Sequence, residues 1–322
     1  MKVEFFWERP INFDLIAKII IESSEEKVDK NRLRLLWEWR FLNCPSKDKI
    51  YASYIMENNE VATFYAISPI SFNINDNSFN TGLAVWGLTN PKFRGKGYYS
   101  ELYKATQEKL KDDGFNFLFA FDNHNSHYPE VKYLGWKDIG LLTEFSLLSL
   151  KVKQKLVHNS KHKVIFEELS EEKITKLSKM AVTQKKFSFQ RNYEFLKWRL
   201  MDNPINHYFT CNCYFCEKLL ASAVLKSYQE CEIDIMELFY DNDSFQEYNT
   251  ILNDIISFIL EKGFKKINMW ANLNSEEHLM LEKIGFIECQ FSAYFVYYPI
   301  NQMYDISNLK DWHYRFIDSD VY

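Results

Sequence analysis

Apolar positions change their spacing along this chain, and the changes come twice in the same order. A short apolar run opens each half, at 3–6 and at 164–166, and reads as a strand. Two helical stretches follow, then a meander of alternating segments. Tyr99, Leu102, Tyr103, Thr106 and Leu110 share one face of a helix expected over 99–112. Its counterpart is expected over 245–262. Gly114 and Gly263 follow, where a left-handed residue ends a helix. Each glycine precedes a buried-strand pattern, FNFLFAF (115–121) and FKKINMW (264–270).

Local motifs repeat with the periodicity. WRFLNCP (39–45) recurs as WRLMDNP (198–204), NHNS (123–126) as NLNS (272–275), and YLGWKD (133–138) as KIGFIE (283–288). A sequence that repeats its elements in order predicts one structural unit built twice. The reading is an α/β (α+β) chain with a first domain over 1–155 and a second over 156–302. A tail over 303–322 belongs to neither copy. The charged stretch 151–163 reads as the linker.

Composition narrows the class. With 322 residues, 47% hydrophobic and 26% charged, the chain can bury two cores. The formal net charge is −5 with the basic residues scattered, which argues against a nucleic-acid partner. Glu4, Glu8, Arg9 and Asp14 interrupt any signal-like start, and no apolar run approaches the ~18 residues of a membrane helix. A cytoplasmic protein without a membrane partner is expected; the oligomeric state stays open. Six cysteines include Cys211, Cys213 and Cys216 in C-x-C-x-x-C. Strand alternation puts Cys211 and Cys213 on one face as small hydrophobes, and no metal is expected.

Glycine is scarce, only 9 residues, yet two fall within PKFRGKGYYSELYKA (91–105), just ahead of the first long helix. A helix start carries unpaired N–H groups and partial positive charge, and glycines let a ligand approach the backbone. Together they favour a phosphate. The nucleotide loop G-x-x-x-x-G-K-[ST] does not fit, since Lys96 is followed by Gly97. The dinucleotide loop G-x-G-x-x-G fails at Ser100. R-x-x-G-x-[GA] fits Arg94-Gly95-Lys96-Gly97-Tyr98-Tyr99 except at its last position.

With the strand-like run 83–88 before it and NHNS and YLGW after it, the segment resembles the GNAT superfamily of acyl-CoA-dependent N-acyltransferases. The resemblance covers the whole chain as two tandem GNAT-like domains, each a mixed, mostly antiparallel sheet flanked by helices. It implies acetyl-CoA as acyl donor and a small primary amine as acceptor. The loop Arg94, Gly95, Lys96, Gly97, Tyr98 and Tyr99 would hold the pyrophosphate. Leu88, Thr89 and Asn90 would pair with the pantetheine arm, and Asn125 would contact it. YDNDSFQEYN (240–249) replaces the loop in the second copy; acidic and without glycine, it disfavours a diphosphate. The tail 312–322 is similar to the ending of some tandem acyltransferases from polysaccharide-biosynthesis clusters, which implies an amino-sugar acceptor.

The family's strand glutamate is missing from TGLAVWGLT (81–89), and its usual tyrosine, four residues before Gly135, is Val131. Asp122, His127 and Tyr128 are the candidate catalytic replacements, with His124 nearby and a water chain as the alternative. Glu232, Asp234 and Glu237 fall on one strand, where alternation puts all but Glu237 on one face; they read as its polar face, with a cationic acceptor bound across the interface as the alternative. Trp37, Trp39, Trp86 and Trp270 read as core aromatics. The rival function is a non-catalytic coenzyme-A-binding or scaffold protein that keeps the fold. An aminoacyl-tRNA user is disfavoured by the acidic charge.

Overall fold

The computed structural model describes residues 2–24, 28–45, 49–75, 77–152, 161–182, 185–229, 231–301 and 304–320. It forms two compact units that exchange chain segments. The first holds Met1–Gly140 and Tyr294–Ser307, the second Leu141–Ala293 and Asn308–Tyr322. The expected boundary at 155/156, and most of the linker, lie outside the described residues. The exchange comes from strand pairing. A strand that begins in one unit ends as the sheet partner of a strand in the other.

In the first unit the order is β1 (Val3–Phe5), α1 (Phe13–Ser23), α2 (Lys30–Trp37), β2 (Ala52–Glu57), β3 (Glu60–Ile74), β4 (Asn77–Thr89), α3 (Tyr98–Asp112), β5 (Phe117–Asp122), α4 (His124–Pro129) and the start of β6 (Lys137–Leu148). In the second it is β7 (Lys163–Glu168), α5 (Glu171–Leu177), β8 (Phe187–Phe189), α6 (Tyr193–Leu196), β9 (Phe209–Phe215), β10 (Lys218–Gln229), β11 (Glu232–Tyr240), α7 (Tyr248–Glu261), β12 (Lys266–Trp270), α8 (Glu276–Ile284) and the start of β13 (Ile287–Pro299). The sheet of the first unit runs β1-β2-β3-β4-β5-β13, and that of the second runs β6-β12-β11-β10-β9-β7. Both are antiparallel except at one place each, β4 with β5 and β11 with β12.

Local chemistry sets the helix starts. Asn12 accepts from the Asp14 N–H at 2.8 Å, Asp29 from Arg32 at 2.7 Å, and Asn192 from Phe195 at 2.9 Å. The repeated Trp-Arg pairs lie in π-helical turns, Glu38–Leu42 and Lys197–Met201, with Trp39, Arg40, Trp198 and Arg199 buried. Both copies thus bury the pair in the same kind of turn.

One face of the first sheet packs Ile55, Tyr65 and Leu118 against Leu102, Tyr103 and Leu110 of α3. The other packs Tyr54, Phe64 and Ala66 against α1 and α2. In the second unit Cys211, Ala223 and Ile233 pack against Ile251, Leu252 and Ile255 of α7. Trp37, Trp39 and Trp270 are buried, and Trp86 stacks on Trp37 with centroids 6.1 Å apart.

The parallel ladders are the feature that matters for function. Each has three rungs and then ends. In the first unit they are Thr81↔Phe117, Gly82↔Leu118 and Leu83↔Phe119. In the second they are Glu232↔Lys266, Ile233↔Ile267 and Asp234↔Asn268. Two residues later the first strand of each pair bulges. Val85 has no opposite residue on β3, and Met236 has none on β10. A bulge bends its strand and increases the twist. Beyond it the two parallel strands run on without pairing to each other, so each unit has a gap in its sheet.

Candidate active site

The gap of the first unit is bordered by β4 residues 84–89, the end of β5, and the start of α3. The loop between β4 and α3 is fixed from below by Asn90. Its N–H donates to the Ala62 carbonyl at 3.0 Å, and its side chain accepts from the Lys92 N–H and donates to Glu22 at 2.7 Å. A 3-10 turn, Pro91–Phe93, follows, with Phe93 buried. Gly95 and Gly97 then take φ of +78° and +79°, the left-handed region where a Cβ is strained. A Cβ at either position would meet nothing within 4 Å, so the glycines serve conformation and leave open space above them. Gly97 caps α3 and offers no side chain to the first N–H groups of that helix. A helix of 15 residues thus presents its positive end to an open loop.

The cations are only partly committed to this loop. Lys96 pairs with Glu57 at 3.1 Å and lies over the rings of Phe93 and Tyr98; Lys92 pairs with Glu60 at 3.3 Å. The Lys96 bond holds the Glu57 carboxyl below its ordinary range. Arg94 is exposed, with Nε donating to the Thr89 carbonyl at 3.4 Å. Tyr99, bulky where the expected loop has a small residue, turns its ring away from the loop. The ring packs edge-on to Tyr65 at 6.1 Å and alongside Tyr103 at 6.4 Å. A Cβ at Gly87 would sit 2.2 Å from the Tyr99 hydroxyl, so this glycine makes the space under β4 that the hydroxyl fills.

Of the candidate catalytic residues, Asp122 is buried at the end of β5, its partner on the far side being Tyr294 of β13. His127 lies on α4, bonded through Nε2 to Asp138 at 2.6 Å and stacked on Tyr294 at 3.8 Å. Tyr128 is exposed beside Lys132. His124 reaches the Tyr294 hydroxyl at 3.1 Å. Asn125 is exposed, its N–H taken by the Asn123 side chain at 2.8 Å. The charge of Asp122 acts on Tyr99 of α3, whereas His127 finds its partners on β6 and β13 and Tyr128 meets Lys132 and Tyr133.

The sequence reading passed over Glu130, which is buried in the turn after α4. Burial first, then the charge of Asp122, push the Glu130 carboxyl well above the usual carboxylate range. Glu130 was hidden by a register shift. Residues Glu130–Leu134 form a π-helical turn in which Gly135 N–H bonds to the Glu130 carbonyl, five residues back. Counting four back, as in an α-helix, ends on Val131.

The same gap in the second unit has other contents. Counted from the last rung, Glu237 stands where the first unit has Trp86, and Ala271 where it has Asp122. Glu237 is fully buried and bonds Arg191 at 2.8 Å and His313 at 3.1 Å, with Arg315 at 3.7 Å. Burial alone would raise its carboxyl, but the charges of His313, Arg191 and Arg315 hold it at about 2. This corrects the reading of a solvated polar strand face and of an acceptor bound across the interface: Asp234 and Glu237 are buried inside the unit. Only Glu232, bonded to Lys266 at 3.4 Å, stays near solvent.

The tail supplies what fills this gap. Arg315 donates to the Trp270 carbonyl at 2.8 Å and Tyr314 to that of Ala271 at 3.2 Å. Asn272 donates to the carbonyls of Leu309 and Trp312 at 2.6 and 2.9 Å, and Arg199 to that of Ile317 at 2.9 Å. The carbonyls at the end of β12 thus meet the C-terminal segment instead of a ligand. A 3-10 helix, Asn242–Glu247, stands in place of the glycine loop. A cavity of about 640 Å³ remains beside the tail, lined in part by Tyr240, Tyr248, Asn272 and Trp312.

The C-x-C-x-x-C cysteines do not converge. Cys211 and Cys213 are buried in β9, while Cys216 is exposed. Cys213 lies instead with His162 and Asp254, their donor atoms within 4.8 Å of one another. His162 Nδ1 is 2.6 Å from Asp254. Among the described residues no helix is long and apolar enough to cross a membrane.

No family model and no curated protein matches the sequence. Solved structures do match. A conserved protein from Enterococcus faecalis V583, described as a probable N-acyltransferase, aligns at TM-score 0.67 and 12% identity, over 93% of this chain and 72% of that one. A GCN5-related N-acetyltransferase from Anabaena variabilis aligns at 0.67 and 11%, over 93% and 73%. A tandem GNAT protein from the clavulanic acid biosynthesis pathway aligns at 0.60 and 9%, over 93% and 99%. With one gapped sheet and one helix following the gapped strand in each unit, the chain has the tandem GNAT fold.

Proposed function

We propose that the chain is an acetyl-CoA-dependent N-acetyltransferase whose first unit carries the reaction, with a primary amine of a small molecule, an amino sugar foremost, as acceptor. The observation that carries this reading is the open left-handed pair Gly95 and Gly97 ahead of the uncapped start of α3, next to the unpaired edge of β4. The backbone N–H groups from Gly95 to Tyr99 would hold the donor's diphosphate, with Arg94 and Lys96 adding charge. The extended edge at Leu88 and Thr89 suits an arm that bonds like a strand, and an N–H there would polarise the thioester carbonyl. The amine attacks that carbon directly once it has lost a proton. The amino-sugar part of the reading rests on the tail's resemblance.

A thermal shift series with coenzyme A, acetyl-CoA and longer acyl-CoAs tests the donor. At ~100 times its dissociation constant a ligand should stabilise the folded chain by about 2.7 kcal/mol. No shift with any of them removes the reading. Turnover with a panel of amines and amino sugars tests the acceptor. The second reading, a protein that binds coenzyme A without turnover, is favoured by the lack of a carboxylate on β4. It predicts the thermal shift without any product.

A further inference from the structure

The second unit buries three ligand-bearing side chains together, and they come from three places in the chain. His162 stands just before β7, Cys213 lies in β9, and Asp254 lies on α7. His162 is 6% exposed, Cys213 and Asp254 0%. One donor atom from each lies within 4.8 Å of the other two. Packing does not call for this grouping. The other buried residues of α7, apart from Ser257, are Ile251, Leu252, Ile255, Ile256 and Ile259, and Asp254 interrupts them. An aspartate is rarely buried unless something of opposite charge or a strong donor meets it.

His162 meets it in part, with Nδ1 2.6 Å from the Asp254 carboxylate. That bond accounts for the acid and the imidazole and leaves the thiol over. The Cys213 thiol has no hydrogen bond among the described residues, although its sulfur lies within 4.8 Å of both other donors. The remaining ring nitrogen of His162, Nε2, is 3.9 Å from the exposed Glu247 carboxylate. Histidines that bind a metal through one nitrogen commonly direct the other N–H to a carboxylate, which fixes the ring. A thiolate, an imidazole and a carboxylate together suit a borderline cation. Magnesium and calcium select oxygen donors, and copper(I) selects soft ones.

We propose that His162 Nδ1, the Cys213 thiolate and the Asp254 carboxylate form a zinc site, with water in the fourth position. Bonds of about 2.3 Å to sulfur and about 2.0 Å to nitrogen set tetrahedral donors roughly 3.3–3.6 Å apart, so the ion opens the His162–Asp254 pair and draws the sulfur in. The thiol releases its proton to water. Nδ1 gives up its hydrogen, and Nε2 carries the N–H on the side of Glu247. Donors buried this deeply exclude a substrate, so the ion acts on folding: it ties the chain entering β7 to β9 and α7. The site shares only Cys213 with the C-x-C-x-x-C motif, from which no metal was expected, and it is independent of the acyltransferase reading.

The test strips the full chain of metal with a chelator and titrates it with zinc chloride and, in parallel, cobalt chloride. One equivalent of zinc should bind per chain and raise Tm. Cobalt should give the near-ultraviolet charge-transfer band of a thiolate ligand. Cys216 and Cys289 are exposed and Cys231 half-buried, so the titration is repeated on the triple variant Cys216→Ser, Cys231→Ser, Cys289→Ser, which should keep both the band and the stoichiometry. Cys213→Ala should abolish the band. Asp254→Asn should weaken zinc by more than ~100-fold, beyond the ~10- to 100-fold that a change beside a ligand costs. Cys211→Ala removes the other buried thiol of β9 with the same loss of volume and should leave zinc affinity within twofold, which separates the loss of a ligand from a loss of packing. No cobalt band in the unaltered chain, its disappearance in the triple variant, or equal zinc affinity in Cys213→Ala and Cys211→Ala overturns the proposal.

Discussion

The two gaps have the same frame and opposite contents. Each follows a three-rung parallel ladder and a bulge two residues on, at Val85 and at Met236. In the first unit the strand beyond the bulge carries Trp86 and Gly87, and the loop that follows is open. In the second it carries Glu237 and Leu238, and the tail takes the place of a ligand. A gap between diverging strands is a cost to any sheet, because backbone groups lose their partners. The second unit meets that cost with its own C-terminal residues, tied down by ion pairs. The first unit keeps an open glycine loop beside its gap, and the proposed placement of the acyl donor there rests on this contrast more than on the glycines alone.

Breaking the second unit's filling should have the largest effect. Glu237→Ala strands Arg191, His313 and Arg315 in a buried site, and loss of one partner of such a network costs about 3–5 kcal/mol. Urea denaturation measures it; a loss near zero would mean that the tail is held by other contacts. The wild-type network also sets an acid limit. The Glu237 carboxyl lies below its unfolded value, so its stabilisation is complete above about pH 4.3 and is lost as pH falls toward about 2.

Next comes the first unit's loop. Gly97→Glu places a strained residue and a negative charge where the diphosphate would lie, and should weaken coenzyme A at least 1,000-fold, about 4 kcal/mol. Calorimetric titration is the check, and retained affinity would place the donor elsewhere.

A smaller effect is expected at the last ladder rung, where the first unit has Leu83 and the second has Asp234. Burial raises the Asp234 carboxyl to about 7, against the bond from Asn268 at 2.9 Å that lowers it. A raised acid binds more protons folded than unfolded, so stability falls as pH rises from about 4 through 7. Asp234→Asn keeps the acceptor and removes that loss, at most about 4 kcal/mol and less once burial of the amide is counted, so it should stabilise the chain at pH 8 and not at pH 4. Equal effects at both pH values would contradict the assignment.

The smallest effect concerns Lys96. Glu57→Gln releases it from its ion pair, and because exposed pairs are weak, donor affinity should rise only two- to threefold. No rise at low salt would show that Lys96 does not face the donor.

The sequence by itself determined the doubled order of elements, the Trp-Arg turns and the glycine loop. These depend on local rules: spacing of apolar side chains, caps, and a φ that only glycine takes without strain. The loop at 95–97 was legible because its cause lies within three residues. Three things were decided only by the tertiary structure. The partners of Glu237 come from Arg191, His313 and Arg315, which no local pattern ties to β11. The units exchange strands, since pairing is settled by which edge a strand meets, so residues 141–148 leave the first copy and residues 294–299 return to it. Glu130, the first residue of a π-turn, is buried by packing that residue counting cannot supply.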